Sequence, residues 1–375
     1  MRIPFEYANG FLLVDVRIDG VLPLTFIFDT GSRHTILAER ELLRFLDRGP
    51  GVPIRIVGSD LDRELSGRLL RQTTLAVGDL ELRTQPLVIL DDDVIDLTEL
   101  TGRTVHGILG VGAFGAYAVT IDYVNEVITL SRPRQRKRAR RATVLPLVAD
   151  DGKAYLLSRA RIHPDYADTV RLLIDTGASL AMLLHASQTD TLVYPPQLTV
   201  GRIAAGLGGD LYGYVGRSDT LSLGGFDLPD VITHFQTLRE DSLRGAVAAR
   251  QGILGNGVLD RFTVTIDFAS EELTLVPRRG FARRRAYDRS GMRLVSGGEG
   301  LDELLVRIVL PDTPAWTAGL RPGDRLRAIN GVPVAVMGIE GARRRLRRKP
   351  GKRVRVRFAR GATTGEVTFR LRELL

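Results

Sequence analysis

The sequence predicts a mostly β protein in which one lobe is written twice and followed by a smaller third domain. Three observations predict it. "FIFDTGS" at 26–32 returns as "LLIDTGA" at 172–178. The ends of the two copies also correspond, with "HGILGVGAFGAYAVTIDYVNEVITL" from His106 matched by "QGILGNGVLDRFTVTIDFASEELTL" from Gln251. Beyond residue 290 the pattern changes to short apolar runs separated by Pro-Gly-Asp and Asn-Gly turns. Two copies of a long unit mark a duplicated lobe, whereas a solenoid needs more and shorter repeats.

The first lobe is read over 1–131. "RIPFEYANGFLLVDVRIDG" from Arg2 alternates like a strand and has its counterpart in "VLPLVADDGKAYLLSRARI" from Val144. "VLPLTFIF" and "VRLLI" are continuous apolar runs, as expected of strands buried on both faces. A helix is expected at 38–47, "AERELLRFLD", stopped by Gly49-Pro50. "AVTIDYVNEVITL" and "TVTIDFASEELTL" each read as two alternating runs around a polar turn, hence hairpins. The basic stretch "RPRQRKRARR" makes 132–142 an exposed linker. The second lobe follows over 143–278 and the third domain over 288–375. In the latter, "ELLVRIVLPDTPAWTAGLRPGDRLRAINGVPV" runs strand, short helix, turn, strand, turn. A helix is expected at 339–348, and "RVRVRF" and "GEVTFRL" are the closing strands.

Composition narrows the function. With 375 residues, 44% of them apolar, the chain can bury two or three cores. No apolar run reaches the length of a membrane span. The absence of cysteine excludes disulfides, thiolate metal sites and a cysteine nucleophile. The five histidines show no ligand spacing, so neither a metal nor a cofactor is expected. The first twenty residues lack the layout of a signal peptide. The protein is therefore read as cytoplasmic, or as periplasmic or extracellular with a signal already removed. A net charge of +9, nearly all from arginine, would suit an anionic partner. Without an aromatic-and-basic stacking platform it is read as solvated arginine faces, and no nucleic-acid partner is expected.

The doubled tripeptide carries the chemistry. Lobes related by an approximate two-fold axis would bring Asp29 and Asp175 face to face. Two carboxylates about 3 Å apart repel by about 5–6 kcal/mol at an effective dielectric near 20, enough to separate their titrations by several pKa units. Over a broad pH window the pair then holds one proton. The ionised member can take a proton from water while the other donates to a carbonyl oxygen, which hydrolyses an amide without metal or covalent intermediate. Gly31 and Gly177 would let backbone N–H groups approach the carboxyls, and Thr30 and Thr176 could hydrogen-bond across the interface. Ile108-Leu109-Gly110 and Ile253-Leu254-Gly255 would pack beneath the acidic loops. Ser32 offers its aspartate a hydroxyl that Ala178 does not, so Asp29 is expected to ionise more easily. Arg33 would favour ionisation if it pointed inward and would be inert if it pointed to solvent.

Through these motifs, residues 1–278 resemble an aspartic peptidase of the retropepsin-like group in a fused, two-lobed bacterial form. The resemblance implies a two-lobed acid-protease β fold with a cleft between the lobes, polypeptide substrates bound in extended form, and mobile hairpin flaps. By position, Asp29 and Asp175 would be the catalytic dyad. The flap candidates are Val57-Gly58-Ser59 and the glycine-rich "AGLGGDLYGYVG" at 205–216, with Gly206, Gly208 and Gly209. Because both halves lie in one chain, a monomer suffices for the cleft.

The third domain resembles a PDZ domain of the bacterial protease-associated type, carried by Pro314-Ala315, Ala318-Gly319-Leu320, Pro322-Gly323-Asp324 and Ile329-Asn330-Gly331. The resemblance implies a groove that takes a peptide as an added strand. Ser290-Gly291-Met292 would be the carboxylate loop, and Met292–Val295, with Leu294, would be the strand that pairs the peptide. Ile339, Ala342 and Leu346 would line groove or core, with the neighbouring arginines as a solvated face. C-terminal peptides are thus possible partners, and the chain's own "RELL" could enter a neighbour's groove. The reading is an aspartic endopeptidase with a PDZ domain for peptide recognition or regulation. The alternative is a non-catalytic peptide-binding protein on a peptidase fold, for which Arg33 is the one supporting feature.

Overall fold

The computed structural model describes residues 1–21, 23–46, 49–58, 64–91, 96–132, 141–186, 192–238 and 252–375. Most of linker 132–142 and the flap candidate Ser59 lie outside the described residues.

The duplication is explicit in the strand order. In lobe one an eight-stranded sheet runs Glu6–Ala8, Phe11–Ile18, Leu24–Asp29, Gly107–Gly110, Thr35–Leu37, Leu80–Leu90, Glu64–Val77, Val52–Val57. Pairing of Phe11–Ile18 with Glu64–Val77 curls it on itself. Lobe two repeats this order as Val148–Asp150, Lys153–His163, Tyr166–Ile174, Gly252–Leu254, Met182–Ala186, Phe226–Thr237, Gly209–Leu223, Thr199–Gly206. A six-stranded sheet joins the lobes: Ala118–Asp122 pairs antiparallel with Phe262–Asp267, and the Thr120 and Thr265 hydroxyls meet at 2.9 Å on the seam.

Alternation decides which residues face which side. Along Leu24–Asp29, Phe26 and Phe28 enter the large core shared by both lobes, while Ile27 joins a separate apolar cluster on the other face. Side chains two apart share a face of a strand, so Ile27 is on the side that carries Asp29. Lobe two is the same, with Leu172 and Ile174 in the shared core and Leu173 on the side of Asp175.

The third domain has its own core under a sheet ordered Met292–Gly297, Glu303–Val309, Arg325–Ile329, Arg353–Arg360, Thr363–Arg370. Two helices differ from expectation. In place of a helix over 38–47 there is a 3-10 helix, Arg40–Phe45, with no side-chain cap at Glu39 and no fully buried residue; six uncapped residues without a buried stripe do not sustain an α-helix. The helix expected at 339–348 is the longer part of Val334–Leu346, in which a first helical turn and the helix proper join at Gly338, whose φ of 59° interrupts the regular path.

Candidate active site

Asp29 ends the strand Leu24–Asp29, and Asp175 follows directly on Tyr166–Ile174. Beside each runs a parallel strand, Gly107–Gly110 or Gly252–Leu254. The following threonines cross between lobes. Thr30 N–H donates to Thr176 Oγ1 at 3.0 Å, and Thr176 N–H donates to Thr30 Oγ1 at 3.1 Å. Each hydroxyl donates onward, Thr30 to the Ile174 carbonyl at 2.7 Å and Thr176 to the Phe28 carbonyl at 2.8 Å. Both threonines are fully buried, so these four bonds satisfy groups that water cannot reach.

The threonine exchange brings the acids together: the Asp29 and Asp175 carboxyls share a hydrogen bond. The glycines make room for it. A Cβ on Gly31 would lie 2.6 Å from Asp175 Cγ, and one on Gly177 would lie 2.4 Å from Asp29 Cγ. Gly31 N–H donates to Asp29 Oδ1 at 2.7 Å. Burial pushes the Asp29 pKa up, opposed by the bond to Asp175, by the Gly31 N–H, by the positive charge of Lys153 and by the Ser32 N–H. Burial therefore favours a proton on the pair, and the pair titrates as a unit.

The Ser32 hydroxyl behaves differently from expectation. It donates to the His34 carbonyl at 2.8 Å, so Ser32 reaches Asp29 through its N–H and not its hydroxyl. Arg33 points away from the acids and pairs with Asp151 of lobe two. Beneath the acidic loops, Leu109 and Leu254 sit in the shared core, while Ile108 and Ile253 face the cleft-side clusters. A Cβ on Gly110 would lie 2.4 Å from the His34 carbonyl oxygen, and one on Gly255 would lie 2.6 Å from that of Ala178.

Three contributors were missed in the sequence. Asn256 is fully buried. Its Nδ2 donates to the carbonyls of Thr176 (2.6 Å) and Gly10 (2.8 Å), and its Oδ1 accepts from Tyr123 at 2.7 Å. The only signal was "ILGNG" where the first copy has "ILGVG". The left-handed turns Asn9-Gly10 and Asp151-Gly152 each reach the opposite lobe. A Cβ on Gly10 would lie 2.8 Å from that of Ser179, and one on Gly152 would lie 3.5 Å from Arg33 Cγ. Their Asn-Gly and Asp-Gly dipeptides were visible hairpin signals.

Of the flap candidates, Val57 ends Val52–Val57 and Gly58 follows it. Gly206 and Gly209 pair across the turn of the hairpin formed by Thr199–Gly206 and Gly209–Leu223. Leu207 of that turn packs against the lobe-one cluster containing Ile27 and Ile108, so the hairpin turn reaches lobe one.

The third domain departs from the expected open groove. Ser290 N–H (2.9 Å) and Gly291 N–H (2.7 Å) both donate to Asp288 Oδ1, and Met292 N–H donates to Ser290 Oγ at 3.1 Å. The donors assigned to an incoming carboxylate already serve an internal one. Met292, Leu294, Ile339, Ala342 and Leu346 all belong to the domain's buried core. Among the described residues, the strand Met292–Gly297 pairs with Glu303–Val309 on one side only, and it packs against the lobe-one helix Leu97–Thr101. Arg343, expected in a solvated face, instead donates to the Leu294 carbonyl at 3.1 Å and to Asn9 Oδ1 at 3.0 Å.

Known proteins share parts of this geometry. Residues 305–360 match the PDZ domain family. Among solved structures, the chain is similar to an aspartic proteinase from Irpex lacteus at 15% identity and a TM-score of 0.45, over 75% of this chain and 98% of that one. No curated protein matches. The aspartyl protease family matches residues 14–113 and again 160–258, one segment in each lobe and together more than half of the sequence, so the chain belongs to the aspartyl protease family.

Proposed function

We propose that this chain is an aspartic endopeptidase in which Asp29 and Asp175 activate water against a peptide carbonyl. The observation that carries the reading is the hydrogen bond between the two carboxyls, held by the reciprocal Thr30–Thr176 exchange. A water between them loses a proton to the ionised member as its oxygen attacks the carbonyl carbon, and the protonated member donates to the carbonyl oxygen. The tetrahedral adduct collapses with cleavage of the C–N bond, and the amine leaves with a proton returned by the pair. The raised pKa of Asp29 suits this role, because the pair must keep one proton at working pH. Arg33, the one feature that favoured a non-catalytic protein, is engaged with Asp151 and leaves the acids alone.

In this reading the PDZ domain acts on the peptidase itself, since its edge strand meets Leu97–Thr101 and its helix meets Asn9. The test is hydrolysis of a peptide library between about pH 3 and 8, with Asp29→Asn and Asp175→Asn as controls. Cleavage by the native chain, lost in both variants, is the expected outcome. Unchanged cleavage in either variant refutes the assignment.

A further inference from the structure

The cleft face of lobe two is apolar beside Asp175. Leu173 shares the side of its strand with that residue and belongs to a cluster with Leu183, Ile203, Leu211, Val215 and Ile253, against which Ala178 of the acidic loop packs. Ile203, Leu211 and Val215 come from the glycine-rich hairpin. The cluster thus joins that hairpin to the acidic loop, on the face where a substrate held under the hairpin beside Asp175 would set its side chains. Leu375 is buried in it, with 2% of its surface exposed.

Leu375 reaches this cluster by a built path. Leu371 still bonds within the third domain, its N–H donating to the Lys352 carbonyl at 2.9 Å. Arg372 N–H then donates to the Arg289 carbonyl at 3.1 Å, and Glu373 accepts from Arg289 Nε at 2.8 Å. Arg217 and Arg284 both donate to the Leu375 carbonyl oxygen at 3.4 Å. Arg217 belongs to the hairpin strand Gly209–Leu223 and is fixed by the carbonyls of Asp230 and Arg285, each at 2.9 Å. A leucine side chain in an apolar pocket, its main-chain oxygen gripped from a flanking strand, is held as an extended peptide residue would be.

We propose that Leu375 is a tethered occupant of a lobe-two substrate subsite, so that this subsite selects leucine-type aliphatic side chains and residues 372–375 compete with substrate for it. This rests on reading the Asp29–Asp175 pair as the site of hydrolysis. A tether keeps its end at an effective concentration near millimolar, so only substrates that bind well enough would displace it. The cluster around Leu375 is mostly branched aliphatic, which makes leucine acceptable and a buried aspartate costly.

The test reads binding, so it does not depend on turnover. In an Asp29→Asn background, a fluorescent peptide ending Arg-Glu-Leu-Leu is titrated against the full chain, a Leu375→Asp variant and a variant lacking 372–375. Both altered chains should bind at least tenfold more tightly than the full chain, and the peptide with its last leucine changed to aspartate should not bind. Adding Val215→Trp to the shortened chain should abolish binding by filling the pocket. Equal affinity for all three chains overturns the proposal, as does binding that survives Val215→Trp, which would locate the peptide elsewhere. Leu375→Met guards against misfolding: it should keep the full chain's weak binding and its melting temperature. Absence of hydrolysis by the native chain would remove the enzymatic reading and leave this binding result standing.

Discussion

Among single residues, the acidic pair is arranged at a cost that can be measured. Burial raises the Asp29 pKa, so the folded chain keeps a proton where the unfolded chain has lost it. The sign follows from linkage: the contribution of Asp29 to stability is full below the ordinary carboxylate pKa, near 4, and is lost as pH rises through the raised folded value. Asp29→Asn cannot ionise and escapes that loss. It should abolish hydrolysis and also raise the melting temperature at pH 7 by about 1 °C for each kcal/mol recovered, with no gain near pH 3. A melting temperature at pH 7 at or below that of the native chain would contradict the assigned burial cost. The glycines predict the opposite combination. Gly177→Ala would bring a methyl group to 2.4 Å from Asp29 Cγ, too close without moving the carboxyl. Displacement of a reacting group by about 1 Å can cost a hundredfold. We expect turnover of a cleaved library peptide to fall by about that factor, with its KM much less affected.

Among strands and turns, the two lobes differ where one copy carries a buried polar side chain that the other lacks. Asn256 ties the carbonyls of Thr176 and Gly10 to the Tyr123 hydroxyl; its counterpart in lobe one is Val111. Asn256→Val would leave three partners without their bond inside protein. At about 1–3 kcal/mol for a buried group left unsatisfied, the loss should total about 3 kcal/mol or more, read as a lowered urea midpoint with unchanged slope. The same comparison explains what was legible. Strands such as Leu24–Asp29 could be read because an apolar run beside an Asp-Thr-Gly turn is a local pattern, and the repeat lent each reading a second witness. The closure of the third-domain groove could not be read, because it depends on Asp288 taking the Ser290 and Gly291 donors and on lobe one meeting the edge strand. Asn256 also resisted reading, since its partners lie far away in the chain and only folding brings them near. Helix 38–47 failed for a local reason: the Gly49-Pro50 stop suggested a helix before it, but no cap and no buried stripe reward an α-helix.

Across the molecule, a buried histidine of lobe two that feels the charge of the third domain shapes the response to acid. His234 lies in the strand Phe226–Thr237, paired with Val215 of the hairpin and with Leu183. Burial pushes its pKa down to about 3, helped by the positive charge of Arg293 from the third domain and opposed by a hydrogen bond to the Met182 main chain. An unfolded histidine titrates near 6.5. Between those values the unfolded chain binds a proton that the folded chain refuses, so this residue lowers stability as pH falls, by up to about 1.4 kcal/mol per pH unit. The buried carboxyls of Asp29, Asp260 and Asp288 have raised pKa values and act in the other direction, gaining stability as pH falls toward the ordinary carboxylate range. Among the described residues, His234 and these carboxyls therefore pull stability in opposite directions as pH falls. His234→Gln keeps a hydrogen-bonding side chain and removes the titration. Relative to the native chain it should be nearly neutral at pH 7 and progressively stabilising from about pH 6 downward, measured as the difference in urea midpoint at each pH. A difference that stays constant across the range would mean that His234 takes up its proton as readily folded as unfolded, and would remove it from the acid response.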